Sequence, residues 1–330
     1  MSSIPGWSYE ESPFHAGEQS IQYRLGLRDK IEDLGRRIIR NQMPEQHQAF
    51  LRQLPFLIVG TQDSDGQPWA SILTNPAGFA NALDEQHLRI NALPNQYDPL
   101  LANLHVGAAI GLLGIEPPTR RRNRLNGMVS FIDDTGFTVA VQRSFGNCPK
   151  YIQARVPTLI ETSVFDQARV RSIESSKLDS ALQQMIRATD TFYIASSFND
   201  TVASASSCPH GVDVSHRGGK PGFVRVDDAS TLTVPDYAGN NYFNTLGNLL
   251  IQPKAGLLLI DFSEGDLLYI AARAEIIWEG AEVKQYEGAQ RLLRLHVTST
   301  QLVKRVLPLR WSEAELSPFL EPMGSWANQT

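Results

Sequence analysis

The sequence predicts a mainly β protein with helices, arranged as two small antiparallel barrels in tandem. Short apolar strand patterns, separated by turns at residues such as Gly66 and Gly136, fill most of the chain. Their order in the first half recurs in the second half, which indicates a duplicated domain. With 330 residues, 42% of them hydrophobic and 20% charged, the chain is long enough for two or three folded domains.

The first half begins with an arm and a helix, assigned to residues 1–45, in which Leu27, Ile31 and Ile38 recur at helical spacing. A first barrel is assigned to residues 46–163 and opens with a short helix. Its predicted strands and one further helix follow in the order strand 56–62, strand 69–74, strand 88–93, helix 98–104, strand 108–115, strand 126–133 and strand 137–142.

The second half is expected to repeat this order after a helical linker at residues 164–190. A second barrel is assigned to residues 191–311 and a C-terminal tail to residues 312–330. Corresponding strands are offset by 136 to 149 residues, as small insertions in a duplicated domain would produce, although chance similarity of short apolar strands is the alternative. The second-half strands that carry the comparison lie at 191–197, 221–226, 232–236 and 255–262.

Composition and charge exclude several classes of protein. The formal net charge is −5, so no global positive field would attract nucleic acid or an anionic membrane. The first residues lack a signal-peptide pattern, and the longest apolar runs are far below the roughly 20 residues that cross a bilayer. Two cysteines form no disulfide framework, and Cys208 and His210 lack a second pair of metal ligands at suitable spacing. We therefore expect a cytoplasmic protein without a metal site.

The stretch SHRGGKPGFVRV at residues 215–226 ends a strand with a basic residue beside two glycines. Gly218 and Gly219 would let the backbone approach a ligand closely, and Arg217 can offer a fork of donors to a phosphate. This combination favours an anion-binding strand end.

Downstream, Asn240 or Asn241 is expected to cap a helix that runs to Gln252. The polar residues of this helix fall on one stripe, and asparagine is a poor helix former, so the stripe is costly without a compensating interaction. It indicates either a phosphate cradle at the helix start or a solvated helix face with an ordinary cap. The stripe consists of Asn241, Asn244, Thr245 and Asn248.

The stretch QRSFGNCPKYIQAR at residues 142–155 predicts a helix with Asn147 as its cap. Cys148 at its start is either a reactive thiol or, more commonly, a small packing residue. The four arginines in 116–127 are typical of a solvated hairpin tip, with contact to an anionic ligand or to the partner barrel as the alternative. His15 and Glu18 are expected to be exposed arm residues.

Together these stretches resemble the FMN-binding split-barrel family related to pyridoxamine 5'-phosphate oxidase, and within it a tandem-barrel bacterial subgroup. The resemblance extends from about Ser12 to about Trp311. It implies two tandem split β-barrels that form a pseudo-dimer, with FMN held at the junction between them. Each half retains a different part of such a site, so one good FMN site per chain is expected.

The resemblance also implies which residues bind the cofactor, whereas it assigns no catalytic residue. From the first barrel they are Asn147, Lys150, Tyr151 and Arg155, and from the second barrel Ser215, His216, Arg217, Gly218, Pro235, Asp236, Gly239, Asn240, Asn241, Thr245 and Asn248.

The expected function is that of an FMN-dependent oxidoreductase of unknown substrate, since FMN itself performs the redox chemistry. The expected partners are a small-molecule substrate or an NAD(P)H-linked reductase as electron donor, together with a second copy of the chain in a homodimer. The alternatives are a non-catalytic flavin- or haem-binding split barrel, and a protein that binds the deazaflavin F420 in place of FMN.

Overall fold

The computed structural model describes residues 6–160, 170–198 and 211–326, and it is mainly β, as the sequence predicts. Its α-helices are α1 Ala16–Arg24, α2 Arg28–Ile38, α3 Glu45–Arg52, α4 Pro99–Asn103, α5 Ser180–Ala188, α6 Asn244–Ile251 and α7 Ala281–Lys284. Its strands are β1 Phe56–Gln62, β2 Pro68–Thr74, β3 Ala80–Ala82, β4 His87–Ile90, β5 Ala109–Glu116, β6 Arg121–Asp133, β7 Gly136–Gly146, β8 Pro157–Leu159, β9 Arg171–Ser175, β10 Thr191–Phe198, β11 Gly211–Gly218, β12 Arg225–Asp228, β13 Thr231–Asp236, β14 Lys254–Ile260, β15 Leu267–Ile277, β16 Arg291–Lys304 and β17 Leu309–Trp311.

Two large antiparallel sheets have the same strand order. The first sheet runs β2-β1-β5-β6-β7-β4-β3 and the second runs β11-β10-β14-β15-β16-β13-β12. Counted from β1 in the first half and from β10 in the second half, strands of equal rank occupy equal positions in the two sheets. Helix α4 directly precedes β5, and α6 directly precedes β14 in the same way. Outside these paths, β9 pairs with β16 and β17 pairs with β8.

The hydrogen-bonded registers identify corresponding residues in the two sheets. Gly60 on β1 pairs with Gly111 on β5, and Ala195 on β10 pairs with Gly256 on β14. The sequence comparison matched Gly256 to Gly107 instead, and the register corrects that offset from 149 to 145 residues. The insertions that separate the two halves are therefore smaller than the sequence spacing indicated.

The two sheets meet at two junctions of the same kind. At one junction β5 approaches β11 so closely that a β-carbon on Gly111 would lie 2.4 Å from the Val212 carbonyl oxygen. At the other junction, a β-carbon on Gly256 of β14 would lie 2.0 Å from the Pro68 carbonyl oxygen of β2. Only glycine permits either contact, and the pair gives the two halves a pseudo-two-fold relation. A shared apolar core that includes Phe56, Tyr193 and Leu258 fills the space between the sheets.

The N-terminal arm is part of the folded core, contrary to the expectation for His15 and Glu18. His15 caps α1 and forms a capping box with Glu18, and both side chains are buried. Glu18 Oε1 accepts a hydrogen bond from Asn244 Nδ2, so α1 is tied to α6. The capping box could have been found from the H-x-x-E spacing, but its buried partner on α6 is 226 residues away in sequence.

Three further local predictions are wrong. Residues 147–155 form no helix, and Arg121–Arg124 lie inside β6 rather than at a solvated hairpin tip. Helix α6 begins at Asn244, after Phe243 in the left-handed region, so neither Asn240 nor Asn241 is its cap.

The stretch predicted as a helical linker, residues 164–190, contains both β9 and α5, while residues 161–169 lie outside the described part of the chain. The domain boundaries proposed from the sequence remain predictions. Within the described residues, every helix is too short or too polar to cross a membrane.

Candidate functional site

A polar groove lies at the first junction, between β6 of the first sheet and β11, β13 and α6 of the second. It has a volume of about 590 Å³, counting the part open to solvent, and it shares Arg122, Cys148, His216 and Asp236 with a neighbouring space of about 440 Å³. Residues of both halves of the chain line the groove.

Arg122 and Arg124 of β6 and Arg217 of β11 bring positive charge to this groove, and part of that charge is already balanced, because Arg124 Nη1 lies 3.3 Å from Asp213 Oδ1. Arg122 and Arg124 occupy alternate positions of the strand, so both side chains leave the same face. Arg124 is only 4% exposed and donates a hydrogen bond to Ser215 Oγ. Arg122 Nε donates to the Cys148 carbonyl oxygen at 2.7 Å. The cations are thus fixed in place by contacts on both sides of the junction.

Burial shifts the ionisation of these groups without removing the arginine charges. Burial, with a smaller contribution from Arg124, lowers the pKa of Arg122 to about 10, which leaves it charged at neutral pH. Burial, followed by the charges of Arg122 and Arg217, lowers the pKa of His216 well below 6.5. His216 is therefore a neutral imidazole at physiological pH.

Several buried polar atoms at the groove lack a hydrogen-bond partner among the described residues. They include Arg124 Nε, His216 Nδ1 and Asn147 Oδ1. A buried donor or acceptor left unpaired costs about 1–3 kcal/mol, and more when the group is charged. Because Arg124 Nε is a charged donor, an anionic oxygen atom in the groove is the partner that would satisfy it best.

The start of α6 adds a second feature suited to an anion. Asn241 and Phe243 both have left-handed backbone angles, with φ of 62° and 63°. Among the described residues, no side chain caps the helix. A left-handed non-glycine residue costs on the order of 1–3 kcal/mol, and such strain often accompanies a binding site. Asn244 and Thr245 of the first turn line the groove, and Thr245 Oγ1 donates to Ser215 Oγ at 3.0 Å. The free amide groups of a helix start favour a negative ligand.

The neighbouring space is more aromatic and holds one shared carboxylate. Asp236 lies 3.4 Å from both Arg217 Nη1 and Arg291 Nε, so its charge is divided between two cations. Tyr151 and Tyr237 lie with ring centroids 4.8 Å apart along this side. Cations border this space as well, namely Arg122, Lys150 and Arg217, so the site combines positive charge with aromatic rings.

Thirteen of the fifteen residues predicted from the sequence line this site. They are Asn147, Lys150, Tyr151, Ser215, His216, Arg217, Gly218, Pro235, Asp236, Gly239, Asn240, Asn241 and Thr245. Gly218 packs against the first half, since a β-carbon there would lie 1.9 Å from the Tyr151 carbonyl oxygen, and its expected close approach to a ligand stays a prediction.

The other two predicted residues lie elsewhere. Arg155 forms an ion pair with Asp190 at 2.5 Å and stacks on Phe262, away from the groove. Asn248 Nδ2 donates to Ser196 Oγ at 3.0 Å beneath α6. The corresponding Asn103 of the first half makes the same kind of bond to Thr61, which indicates a structural contact that both halves share.

The sequence interpretation did not include Arg122 and Arg124 among the cofactor-binding residues, although contact with an anionic ligand or with the partner barrel was its alternative for the arginines in 116–127. Their alternation with Asn123 and Leu125 has the two-residue period of a strand, and that signal could have placed both arginines on one face. The polar stripe of α6 was correctly singled out, and it is not a solvated face, because Asn244, Thr245 and Asn248 are all buried.

The second junction does not repeat the cations of the first. The register of β2 against β1 and of β11 against β10 makes Ser71 the counterpart of Ser215. The neighbouring positions at the second junction are uncharged, with Ile72 and Leu73 of the first half and Leu267 and Tyr269 of the second half at the positions of His216, Arg217, Arg122 and Arg124 respectively. The two junctions thus have the same geometry, but the first has cationic side chains at positions where the second has uncharged ones.

Comparison with known proteins identifies the first half of the chain. Residues 43–171, from just before α3 through the whole first sheet, match the family model of pyridoxamine 5'-phosphate oxidase. This segment is similar to members of that family. Comparison with curated proteins found no significant match.

Solved structures similar to this chain each cover about one of its halves. One, assigned provisionally as a pyridoxamine 5'-phosphate oxidase of Lactobacillus delbrueckii, is 16% identical, with 39% of this chain and 98% of that chain covered and a TM-score of 0.31. HupZ of Group A Streptococcus is 14% identical, with coverages of 36% and 89% and a TM-score of 0.28. A FAD-binding protein of Mesorhizobium loti is 9% identical, with coverages of 41% and 98% and a TM-score of 0.27.

No group of three or more histidine, cysteine or acidic side chains in the described residues is placed to hold a metal ion. Cys208 and His210, which the sequence analysis considered as ligands, lie outside the described residues.

Proposed function

We propose that the chain is a flavoprotein that binds one FMN at the first junction. The observation that carries this proposal is the pair of arginines, the half-buried Arg122 and the buried Arg124, beside a start of α6 that no described side chain caps. Arg124 Nε is buried without a partner in the described part of the chain, as a phosphate-binding donor would be before its ligand arrives. The family match of residues 43–171 supports a cofactor of the pyridoxamine 5'-phosphate oxidase type.

The residues present fit FMN at both ends of the molecule. Arg122, Arg124 and Thr245 would hold the phosphate, which needs several charge-assisted donors at once. Tyr151 and Tyr237 would contact the flat ring system. Because aromatic side chains line the site together with cations, the site favours a phosphorylated aromatic cofactor over a simple inorganic anion.

The proposal includes a single FMN site per chain. The second junction has Leu267 and Leu73 at the positions of Arg122 and Arg217, so these positions of the described chain offer no cation to a phosphate. In this interpretation the chain is a duplicated unit in which only one of two related junctions retained its phosphate-binding residues.

Bound FMN would supply hydride or one-electron transfer, and on that basis we propose an FMN-dependent oxidoreductase acting on a small molecule, with a separate NAD(P)H-linked reductase as a candidate electron donor. The chain's own residues would bind and orient the cofactor. His216 is neutral, and its Nδ1 has no hydrogen-bond partner among the described residues. It can therefore form one hydrogen bond with a ligand without adding charge to the site.

The binding proposal is tested by titrating cofactor-free protein with FMN and with riboflavin, followed by quenching of flavin fluorescence. Because the arginines would contact the phosphate, FMN should bind at least about tenfold more tightly than riboflavin, equivalent to about 1.4 kcal/mol. Equal affinities would show that the arginines do not bind a phosphate. Preferential binding of haem or F420 would overturn the choice of cofactor.

The catalytic proposal is tested by mixing FMN-loaded protein anaerobically with NADH or NADPH, alone and with a flavin reductase. Bleaching of the oxidised flavin band supports a redox enzyme. A flavin that stays oxidised with every donor would contradict the oxidoreductase and favour a non-catalytic flavin-binding protein.

A further inference from the structure

The second junction contains a pocket of its own, which differs in chemistry from the first. It has a volume of about 1160 Å³, counting the part open to solvent, and no charged residue lines it within the described part of the chain. Its apolar walls come from both halves and include Ile72, Leu73, Leu93, Leu267, Val306 and Leu307.

This pocket is the pseudo-symmetric counterpart of the proposed flavin site. Ile72 and Leu73 of β2 take the positions of His216 and Arg217 of β11. Leu267 of β15 takes the position of Arg122, since each is paired with the equivalent residue of the neighbouring strand. The second pocket therefore has aliphatic side chains at positions where the first has side chains that can recognise an anion.

The start of α4 beside this pocket is already provided with a negative group. Asp98 is the N-cap of α4, at the position that Phe243 takes in α6. Its carboxylate accepts hydrogen bonds from Leu100 N at 2.8 Å, Ser71 Oγ at 2.5 Å and Tyr269 OH at 2.9 Å. The Asp98 carboxylate thus takes the interactions at the helix start that a ligand phosphate would take at the other junction, and its charge would repel one.

We propose that the second junction is a separate binding site for an uncharged small molecule with an apolar body. Thr74, Asn95, Gln96 and Tyr97 carry the polar side chains of its lining, so such a ligand can carry neutral polar groups such as a hydroxyl or a carbonyl. This inference depends on the lining and on the register, and it holds whether or not the first junction binds FMN.

The test uses the full chain and the uncharged fluorescent probe N-phenyl-1-naphthylamine. The probe should bind saturably at one site per chain, and 1-naphthol should displace it. The phosphate ester of the same compound, 1-naphthyl phosphate, should displace it at least about tenfold more weakly. The ester adds a negatively charged group, and the described lining has no cation to pair with it. Free FMN should not displace it.

A matched pair of variants locates the probe. Leu93 lines the pocket and is 45% exposed, so Leu93→Glu places a charge there with little effect on folding. It should weaken probe binding at least about tenfold and leave flavin content unchanged. Leu83→Glu makes the same change at a residue that is 61% exposed and lies outside the pocket, and it should have no effect.

Three results would overturn the inference: no saturable probe binding, equal displacement by 1-naphthol and its phosphate, or loss of binding in neither or both of the variants. Failure of the flavin proposal is recognised separately, because it appears in the flavin titration and not in the response of the probe to Leu93→Glu.

Discussion

Arg124 is the residue on which phosphate recognition depends most directly, since it is buried and its Nε has no partner among the described residues. Replacing it by methionine keeps the volume and removes the charge. We expect Arg124→Met to weaken FMN binding about 10- to 100-fold, the range for losing charged hydrogen bonds worth about 1.5–3 kcal/mol. The affinity for riboflavin, which lacks the phosphate, should change little.

The comparison of two ligands within one variant separates recognition from misfolding. If riboflavin binding falls by the same factor as FMN binding, Arg124 has a structural role only. Arg52→Met on α3 is the matched control, because Arg52 is exposed and lies outside the groove, and both affinities should be preserved in it.

Glu18 makes stability depend on pH in a specific direction. Burial raises the pKa of this carboxyl from 4.5 to about 7, against a smaller opposing effect of Arg143. Between these two values the folded protein binds the proton more tightly than the unfolded chain, so stability is lost as the pH rises and the loss is complete above about pH 7.

Glu18→Gln retains the hydrogen-bond acceptor and removes the titration. The variant should gain stability relative to the natural protein as the pH rises from about 4.5 to 7, by up to about 3 kcal/mol. Urea unfolding at pH 5 and pH 8 measures the change. A stability difference that is the same at both pH values would contradict the assignment of a buried, titrating Glu18.

Single-residue burial of this kind was not predictable from sequence. Arg124 has the same local pattern as Arg121 and Arg122, and only the approach of β11 buries it. Glu18 likewise owes its burial to Asn244, which is distant in sequence. Residue types and spacing indicated an anion site, but they did not show which cations face it.

At the scale of elements, α1 and α6 pack backbone against backbone at two glycines. A β-carbon on Gly17 would lie 2.2 Å from the Gly247 carbonyl oxygen, and one on Gly247 would lie 2.6 Å from Glu18 N. This contact holds the first turn of α6, which lines the groove, against the N-terminal arm.

Gly247→Ala should therefore destabilise the protein by about 1–3 kcal/mol, although alanine in a helix interior is ordinarily preferred over glycine. Thermal unfolding measures the effect, and FMN affinity should fall with it because α6 must shift. Gly239→Ala is the control for stability, since its β-carbon would meet nothing within 4 Å. A Gly247→Ala protein as stable as the natural one would contradict the close packing of these helices.

Strands were predicted better than the starts of helices. The predicted strand at 56–62 coincides with β1, because its apolar run is bounded by clear turn residues. No helix forms from residue 147, because Tyr151 takes a left-handed conformation and its carbonyl oxygen lies against Gly218. No local sequence pattern indicates either feature. The start of α6 was placed too early for a similar reason, since Phe243 is also left-handed.

At the scale of the whole molecule, the repeated order of elements was readable from sequence and the junctions were not. Matching strands such as β1 and β10 share patterns that a linear comparison detects. Which faces of the sheets meet depends on glycines such as Gly111 and Gly256, whose role appears only when the opposing strand is in place. The cationic and the apolar junction could therefore be told apart only in three dimensions.

The central claim is that one of two related junctions binds one FMN per chain. Its most direct test is to purify the full chain with its cofactor, release the cofactor by denaturation, and determine its mass and its molar ratio to protein. The account predicts FMN at a ratio approaching one and never approaching two. Release of a different cofactor, or two FMN molecules per chain, would contradict it.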